Sequence, residues 1–246
     1  TTGEIEASNF LADNDDTIVG TNAGNASSDD VTAIGFQAGS LASGNGLVAV
    51  GSAAGAESTG SNLAALGLNA GREGGANNQV AIGNSAGRNA SGFGQISIGN
   101  NAARDTQSGQ QIAIGNESAN GATGNFRVAI GGQAARTASG GGQIAVGYRA
   151  GVNSTGTSAL AFGFEAGIGN TGGDVIGIGV NATRDNTANR VIGIGFGQGQ
   201  NNALTDRLII GNQDSNSIPI LYGDLANNRL GVGNSDTTPD YTLDVA

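Results

Sequence analysis

Large apolar and small residues alternate along this chain in a short pattern that returns at a fixed distance. Val80-Ala81-Ile82-Gly83 is one instance, and the same large-small-large-Gly order recurs at Ile112-Ala113-Ile114-Gly115. The glycines that end these stretches are spaced 16 residues apart: Gly35, Gly51, Gly67, Gly83, Gly99, Gly115, Gly131, Gly147, Gly163, Gly179, Gly195 and Gly211. A fixed short period predicts a stacked repeat, and alternation with period two predicts that each stretch is a strand.

The small residue between the two large ones points to the opposite face of the strand. Its restriction to Ala, Gly or Ser indicates that this face lies against another chain's backbone or a crowded axis. An alanine-rich strand that faces water is the alternative. We predict that one row of small residues faces a neighbouring chain: Ala81, Ser97, Ala113, Ala129, Ala145 and Ala161.

A second pair of small residues follows each glycine, as in Ala38-Gly39 and Ala86-Gly87. We interpret it as a second short strand whose alanine fills the interior of a thin coil. The remainder of each unit is rich in Asn, Ser, Thr and Gly, which is typical of turns. The sequence therefore predicts an all-β fold, a parallel β-solenoid in which one 16-residue unit makes one coil.

Such a coil buries little apolar surface. Each large side chain contributes about 1.5–3 kcal/mol when buried, whereas ordering the backbone costs about 1–2 kcal/mol per residue. A single solenoid of this kind is marginally stable, so association of several copies through the small-residue row is expected to supply the missing burial.

The period sets the expected division of the chain. Residues 1–17 form an acidic N-terminal lead-in, residues 18–211 the repeat domain, and residues 212–246 a different C-terminal β-element. Asn14-Asp15-Asp16 in the lead-in is interpreted as a solvated turn rather than a calcium loop. The chain stops within the strand-like run Tyr241-Thr242-Leu243-Asp244-Val245, so we expect the full-length protein to continue beyond Ala246.

The composition limits which partners and which kinds of site we expect. The net charge of −10 argues against nucleic acid and anionic lipid as partners. The chain has no His and no Cys, and no apolar run is long enough to span a membrane, so we expect no metal site, no cofactor and no membrane insertion.

Two groups of aromatic residues differ in register. Phe36, Tyr148, Phe164 and Phe196 directly follow motif glycines. They either stack on sugar rings or pack between chains, and we favour packing. Phe93 and Phe126 lie outside that register, in expected turns, and are therefore the better candidates for exposed contacts with a ligand.

The unit Val80-Ala81-Ile82-Gly83-x-x-Ala86 resembles the head repeat of trimeric autotransporter adhesins. The resemblance implies a left-handed parallel β-roll, three copies of which assemble in parallel around a threefold axis. Asn228-Arg229-Leu230-Gly231-Val232-Gly233, followed by Thr237-Thr238-Pro239, is similar to a segment of phage tail fibres that precedes a receptor-binding tip or a chaperone domain.

Together these resemblances imply a homotrimeric fibre or adhesin shaft that is extracellular, on a cell surface or on the tail of a virion or injection machine. It would present or contribute to a tip that binds a cell-surface glycan or protein, without catalysis.

A polysaccharide-degrading tail spike is the alternative. It would need a pair of carboxylates such as Glu73 and Asp105, which share a register two coils, or roughly 10 Å, apart. A third possibility, an ice- or crystal-binding solenoid, requires a Thr-x-Thr ladder that we do not find.

Overall fold

The computed structural model describes residues 10–11, 16–24, 30–212 and 219–232. They form a β-solenoid of about 12 turns with 16-residue spacing, and no helix occurs in these ranges. This confirms the predicted all-β repeat. The chain divides into two compact units, Thr1–Ala122 and Thr123–Ala246, hereafter unit 1 and unit 2.

Unit 1 contains eight strands in the described ranges. They are β1 (Phe10–Leu11), β2 (Thr17–Val19), β3 (Val31–Ile34), β4 (Leu47–Val50), β5 (Leu63–Leu66), β6 (Asn77–Ile82), β7 (Phe93–Ile98) and β8 (Gln111–Ile114). Strand β1 precedes the coils, and each following strand belongs to one coil. Strands β2 to β8 pair in parallel with identical motif positions side by side, as in Ala65 beside Ala81. Strand β1 pairs antiparallel with β2.

Unit 2 repeats the arrangement. Its strands are β9 (Arg127–Ile130), β10 (Gln143–Val146), β11 (Leu160–Phe162), β12 (Val175–Ile178), β13 (Val191–Ile194), β14 (Arg207–Ile210), β15 (Leu221–Asp224) and β16 (Arg229–Val232). Strands β9 to β14 are parallel, and β15 and β16 are antiparallel. The parallel pairing therefore ends with the last strand of the 16-residue period.

The row of small residues lies inside the coil, which corrects our prediction that it faces a neighbouring chain. Ala81, Ser97, Ala113 and Ala129 are fully buried within the single chain, and Ala145 and Ala161 nearly so. A β-carbon on Gly87 would lie 3.3 Å from the Ala81 methyl group, so strand and turn of one coil almost touch. The crowding that restricts this row to small residues comes from the same coil.

The segment after each motif glycine is a turn, so the predicted second strand is wrong. The backbone φ angle alternates in sign along it: Gln37 has φ 55°, Gly39 φ 63° and Leu41 φ 57°. A strand requires negative φ throughout. The predicted role of the alanine holds, because Ala38 and Ala86 are fully buried. Coils are joined here by backbone hydrogen bonds such as Gly39 N–H to the Ala54 carbonyl, at 2.8 Å.

The motif glycine is fixed by two constraints. At Gly67 the φ angle is 133°, which side chains rarely adopt, and a β-carbon would lie 2.7 Å from the carbonyl oxygen of Gly83 in the next coil. Successive motif glycines thus stack backbone on backbone. The 16-residue period of glycine follows from this stacking.

One interior position per coil changes character along each unit. It begins each strand's motif and is occupied in unit 1 by Val31, Leu47, Leu63, Gln79, Gln95 and Gln111, and in unit 2 by Arg127, Gln143, Ala159, Val175, Val191 and Arg207. Gln79, Gln95 and Gln143 donate to backbone carbonyls. Gln95 Nε2, for example, donates to the carbonyls of Ser91 at 2.8 Å and Ser108 at 2.7 Å. Gln111 instead accepts from the Ser108 hydroxyl, and its Nε2 is buried without a hydrogen-bond partner.

Ala159 is the smallest residue in that series, and a small internal cavity lies beside it. The cavity is lined by Gln143, Ala159, Val175 and Thr183 among others. The Thr183 hydroxyl is buried without a hydrogen-bond partner. Replacement of a larger interior residue by alanine leaves the space unfilled.

The hairpin of β15 and β16 closes the end of unit 2. Arg207 donates to the Asp224 carboxylate at 2.9 Å, and both side chains are at most one-tenth exposed. The Asn227 side chain also donates to Asp224, at 2.8 Å. The hydrogen bond from Asn227 and the charge of Arg207 lower the pKa of Asp224 despite its burial.

We predict that Gly67→Ala lowers the free energy of unfolding by at least about 3 kcal/mol, because it combines a strained φ with a backbone clash. Gly75→Ala is the control, since a β-carbon there would meet only the Thr59 hydroxyl, at 3.4 Å. The control should change stability by less than about 0.5 kcal/mol. Thermal and urea unfolding followed by circular dichroism measure both; equal effects would contradict the stacking argument.

Ala159→Val should raise the free energy of unfolding by about 1 kcal/mol, because two methyl groups enter an existing cavity. Ala161→Val is the matched control. Its added methyl groups would press on the turn at Gly167, where a β-carbon would already lie 2.9 Å from the Ala161 methyl. The control should destabilise, and a stabilising effect of both substitutions would show that the coil interior is looser than described.

The Arg207–Asp224 pair should make unit 2 acid-sensitive. Because the pKa of Asp224 is lowered on folding, its contribution is present above the unfolded value of about 3.9 and is lost as pH falls through the folded value. Asp224→Asn should lower the melting temperature at neutral pH. Between about pH 6 and pH 2 the difference between wild type and variant should shrink; a constant difference would mean that the carboxylate charge does not matter.

Candidate functional site: the apolar outer face

In unit 1 the large residues of the motif point outward and form two apolar rows. They occupy the positions three and one before the motif glycines, except that Thr32 stands three before Gly35 and the small Ala64 three before Gly67. The rows are Val48, Ala64, Val80, Ile96 and Ile112, and Ile34, Val50, Leu66, Ile82, Ile98 and Ile114. Leu66 is 50% exposed and Val48 47%. Alternation turns these positions away from the interior, which the residues two and four before the glycine face, as in β5.

Unit 2 carries the same two rows. They are Val128, Ile144, Leu160, Ile176, Ile192 and Leu208, and Ile130, Val146, Phe162, Ile178, Ile194 and Ile210. We call these rows, in each unit, the outer face. All twelve residues are apolar and none is buried. An apolar patch that extends over several coils is unusual on a monomer and marks an interaction surface.

A third apolar row borders the outer face in unit 2. It follows the motif glycines and contains Tyr148, Phe164, Val180 and Phe196, each at least 38% exposed. The Tyr148 and Phe164 rings stack on each other, with centroids 5.5 Å apart and planes at 24°. Each ring of this pair therefore covers one face of the other. Packing of the aromatic residues between chains stays a prediction.

Ion pairs run along the turns in both units. In unit 1, Glu73 pairs with Arg72 at 3.0 Å and Arg88 at 3.6 Å, and Asp105 pairs with Arg104 at 3.1 Å. Glu73 and Asp105 are the carboxylates considered for a depolymerase. Each is engaged by arginine, as expected of a coil-to-coil charge ladder, and such exposed pairs stabilise little.

Unit 2 has a comparable network. Glu165 pairs with Arg149 and, at 3.1 Å, with Arg184. Arg190 and Asp206 form a two-bonded pair in neighbouring coils. The hydrogen bond from Arg190 lowers the pKa of Asp206 and, in turn, raises the pKa of Arg190.

Arg127 is a cation inside the coil. It is 1% exposed and donates to the carbonyls of Thr123 at 2.8 Å and Gly140 at 2.9 Å, and to the Gln143 amide at 3.3 Å. Burial lowers its pKa to about 10, so it remains charged at neutral pH. Alternation places Arg127 on the same face of β9 as Ala129, and both residues are buried.

Phe93 and Phe126 are exposed, as the sequence predicted, but the predicted turn at Phe93 is wrong because this residue belongs to a strand. Phe93 begins β7 in unit 1 and is 56% exposed; Phe126 precedes β9 in unit 2 and is 65% exposed. Phe126 has a φ of 58°, which is unusual for a bulky residue. The two residues belong to different units, so each is a separate candidate contact residue.

The sequence analysis did not identify one ladder of hydrogen-bonded asparagine side chains. Asn186 donates to Asn170 at 2.9 Å, and Asn202 donates to Asn186 at 3.1 Å, so the three side chains bond from coil to coil. Only their 16-residue spacing could have indicated this ladder from the sequence. The same spacing occurs at the exposed Asn84, Asn100 and Asn116, so spacing alone does not distinguish a buried ladder from a row of surface residues.

Other chemistry is sparse in the part of the chain that is described. No group of three or more acidic, His or Cys side chains there could hold a metal ion. A cleft of about 410 Å³ at the end of unit 2 is lined by Gln198, Asn202, Leu204, Pro219 and Tyr222 among others. Asn202 already bonds within the turns, to Asn186 and to the Leu204 carbonyl at 2.9 Å.

Comparison with known proteins does not assign a function to the outer face. No protein-family model, no curated protein and no solved structure matches this chain. Among the described residues there is no helix of the length and apolarity needed to cross a membrane.

Proposed function

We propose that three copies of this chain assemble in parallel through their outer faces into a non-catalytic fibre shaft that acts at a cell surface. The observation that carries the proposal is the outer face itself, two rows of outward, large apolar side chains that are complete in unit 2 and interrupted in unit 1 at Thr32 and Ala64. The assembly surface is thus the opposite side of the strand from the one that the sequence suggested.

A second copy is the partner that fits this face best. The rows place one pair of large side chains every 4.7–4.9 Å or so, the spacing of neighbouring strands. A surface with that repeat meets its match in another solenoid of the same period. Association also supplies the burial that the thin coil lacks, because each large side chain contributes about 1.5–3 kcal/mol when removed from water.

The trimeric state and the left-handed coil rest on the resemblance of the motif to adhesin heads. Three chains around one axis bring three outer faces together and leave the turns outside. A surface function in the extracellular space follows from the same resemblance, and from the similarity of residues 228–239 to tail-fibre segments. Three identical chains strengthen weak contacts, since later contacts form at high effective concentration.

Binding of a cell-surface glycan or protein is assigned to the turns and to a tip beyond them. Phe93 and Phe126 are the candidate contact residues in the coils, because each ring is exposed and neither residue belongs to the outer face rows. The positive φ of Phe126 recurs at the same position of other coils, as at Asn62 and Arg190, so it belongs to the repeat.

Light scattering should give a mass about three times that of the 23.9 kDa chain. Ile178→Asp places a charge on the outer face and should shift the mass toward that of one chain while circular dichroism keeps its β signal. Thr171→Asp adds the same charge on an exposed turn and should leave the assembly intact. A folded monomer for the unmodified protein contradicts the proposal.

The surface role is tested with a glycan array and with whole bacterial cells. Phe126→Ala and Phe93→Ala should weaken any binding by this chain, without changing its mass in solution. Cleavage of a polysaccharide that is lost on Glu73→Gln or Asp105→Asn would replace the fibre assignment with that of a depolymerase.

A further inference from the structure

The apolar rows of unit 2 continue past the last coil into the hairpin of β15 and β16. Ile210 of β14 pairs with Leu221 of β15, which pairs with Val232 of β16. These residues carry on the row one before the motif glycine. The strands are antiparallel and lie outside the 16-residue period, yet the same face of the sheet stays apolar.

The neighbouring row continues in the same way. Leu208 pairs with Gly223, which pairs with Leu230. A β-carbon on Gly223 would lie 3.0 Å from the Leu208 β-carbon and 3.4 Å from Leu225 Cδ2. Gly223 therefore makes room for two leucines on this face. We call Leu208, Leu221, Leu225, Leu230 and Val232 the hairpin patch.

The opposite face of the hairpin accounts for its role within the chain. Ile209 and Tyr222 are buried there, and Arg207 and Asp224 form their ion pair. These contacts close the end of the coil. The hairpin patch is not needed for that closure: Leu225 is 48% exposed and Val232 56%.

We infer that the hairpin patch binds the same patch of a second copy of this chain, so that the homotypic interface extends beyond the coils to β16. The inference rests on the proposed assembly through the outer face. The independent support for it is that the apolar rows of the coils continue into the hairpin. The hairpin lies outside the repeat, and folding of the chain does not by itself require two apolar rows there in line with those of the coils. The strand spacing is also unchanged, so the rows keep step with an identical partner.

Cysteine placement tests the patch directly, because the chain has no cysteine. Val232→Cys, treated with a short bis-maleimide, should give covalent dimers and trimers on a denaturing gel. Ala226→Cys, in the exposed turn of the same hairpin, should react with a monofunctional maleimide equally well but remain single chains. Val232 is already exposed in one chain, so the substitution should not affect folding.

Ile178→Cys in the coils separates the two proposals. Crosslinking at residue 178 but not at 232 overturns the hairpin inference and leaves the fibre shaft standing. If neither position crosslinks and light scattering gives the mass of one chain, the hairpin inference and the fibre-shaft proposal are both wrong. In addition, Val232→Asp should weaken assembly by about tenfold in concentration-dependent light scattering, and Ala226→Asp should not; equal behaviour of these two variants also contradicts the inference.

Discussion

The thinness of the coil is the constraint on which the rest of the structure depends. Strand and turn of one coil approach so closely that the Ala81 methyl group faces the backbone at Gly87, and neighbouring coils stack motif glycine on motif glycine. At the position two before the glycine only small side chains fit, whereas the position four before it takes residues as large as Leu47 and Arg127. The two remaining positions of each strand point outside by alternation, and because most of them are apolar they form the outer face.

This origin of the outer face is the reason for which we propose assembly as the function. A chain whose interior holds mostly alanines gains little from its own core. The apolar surface that could stabilise it is displayed in regular rows, and a copy of the same chain is the surface most closely matched to those rows. The turns, which carry the charges and most of the amides, are left for contact with water or a ligand.

The repeat, its period and the strand were all predictable from the sequence, because alternation and glycine spacing are local signals. The side on which the small row lies was not. Ala113 is restricted to a small side chain by crowding, but alternation does not say whether the crowding comes from the same coil or from another chain. The segment around Ala38 is not a strand, and composition alone does not reveal the positive φ at Gln37 and Leu41 that excludes one. Alternation places Arg127 on the same face as Ala129, but only the three-dimensional structure reveals that backbone carbonyls surround its guanidinium.

The interior position that changes along unit 1 divides its coils into two kinds. It holds Val31, Leu47 and Leu63, followed by Gln79, Gln95 and Gln111. The two kinds of coil meet where Leu63 lies beside Gln79. Opening a glutamine coil returns an amide to water, which replaces its hydrogen bonds, whereas opening an aliphatic coil exposes apolar surface. Local unfolding of unit 1 is therefore more costly on the aliphatic side of this boundary.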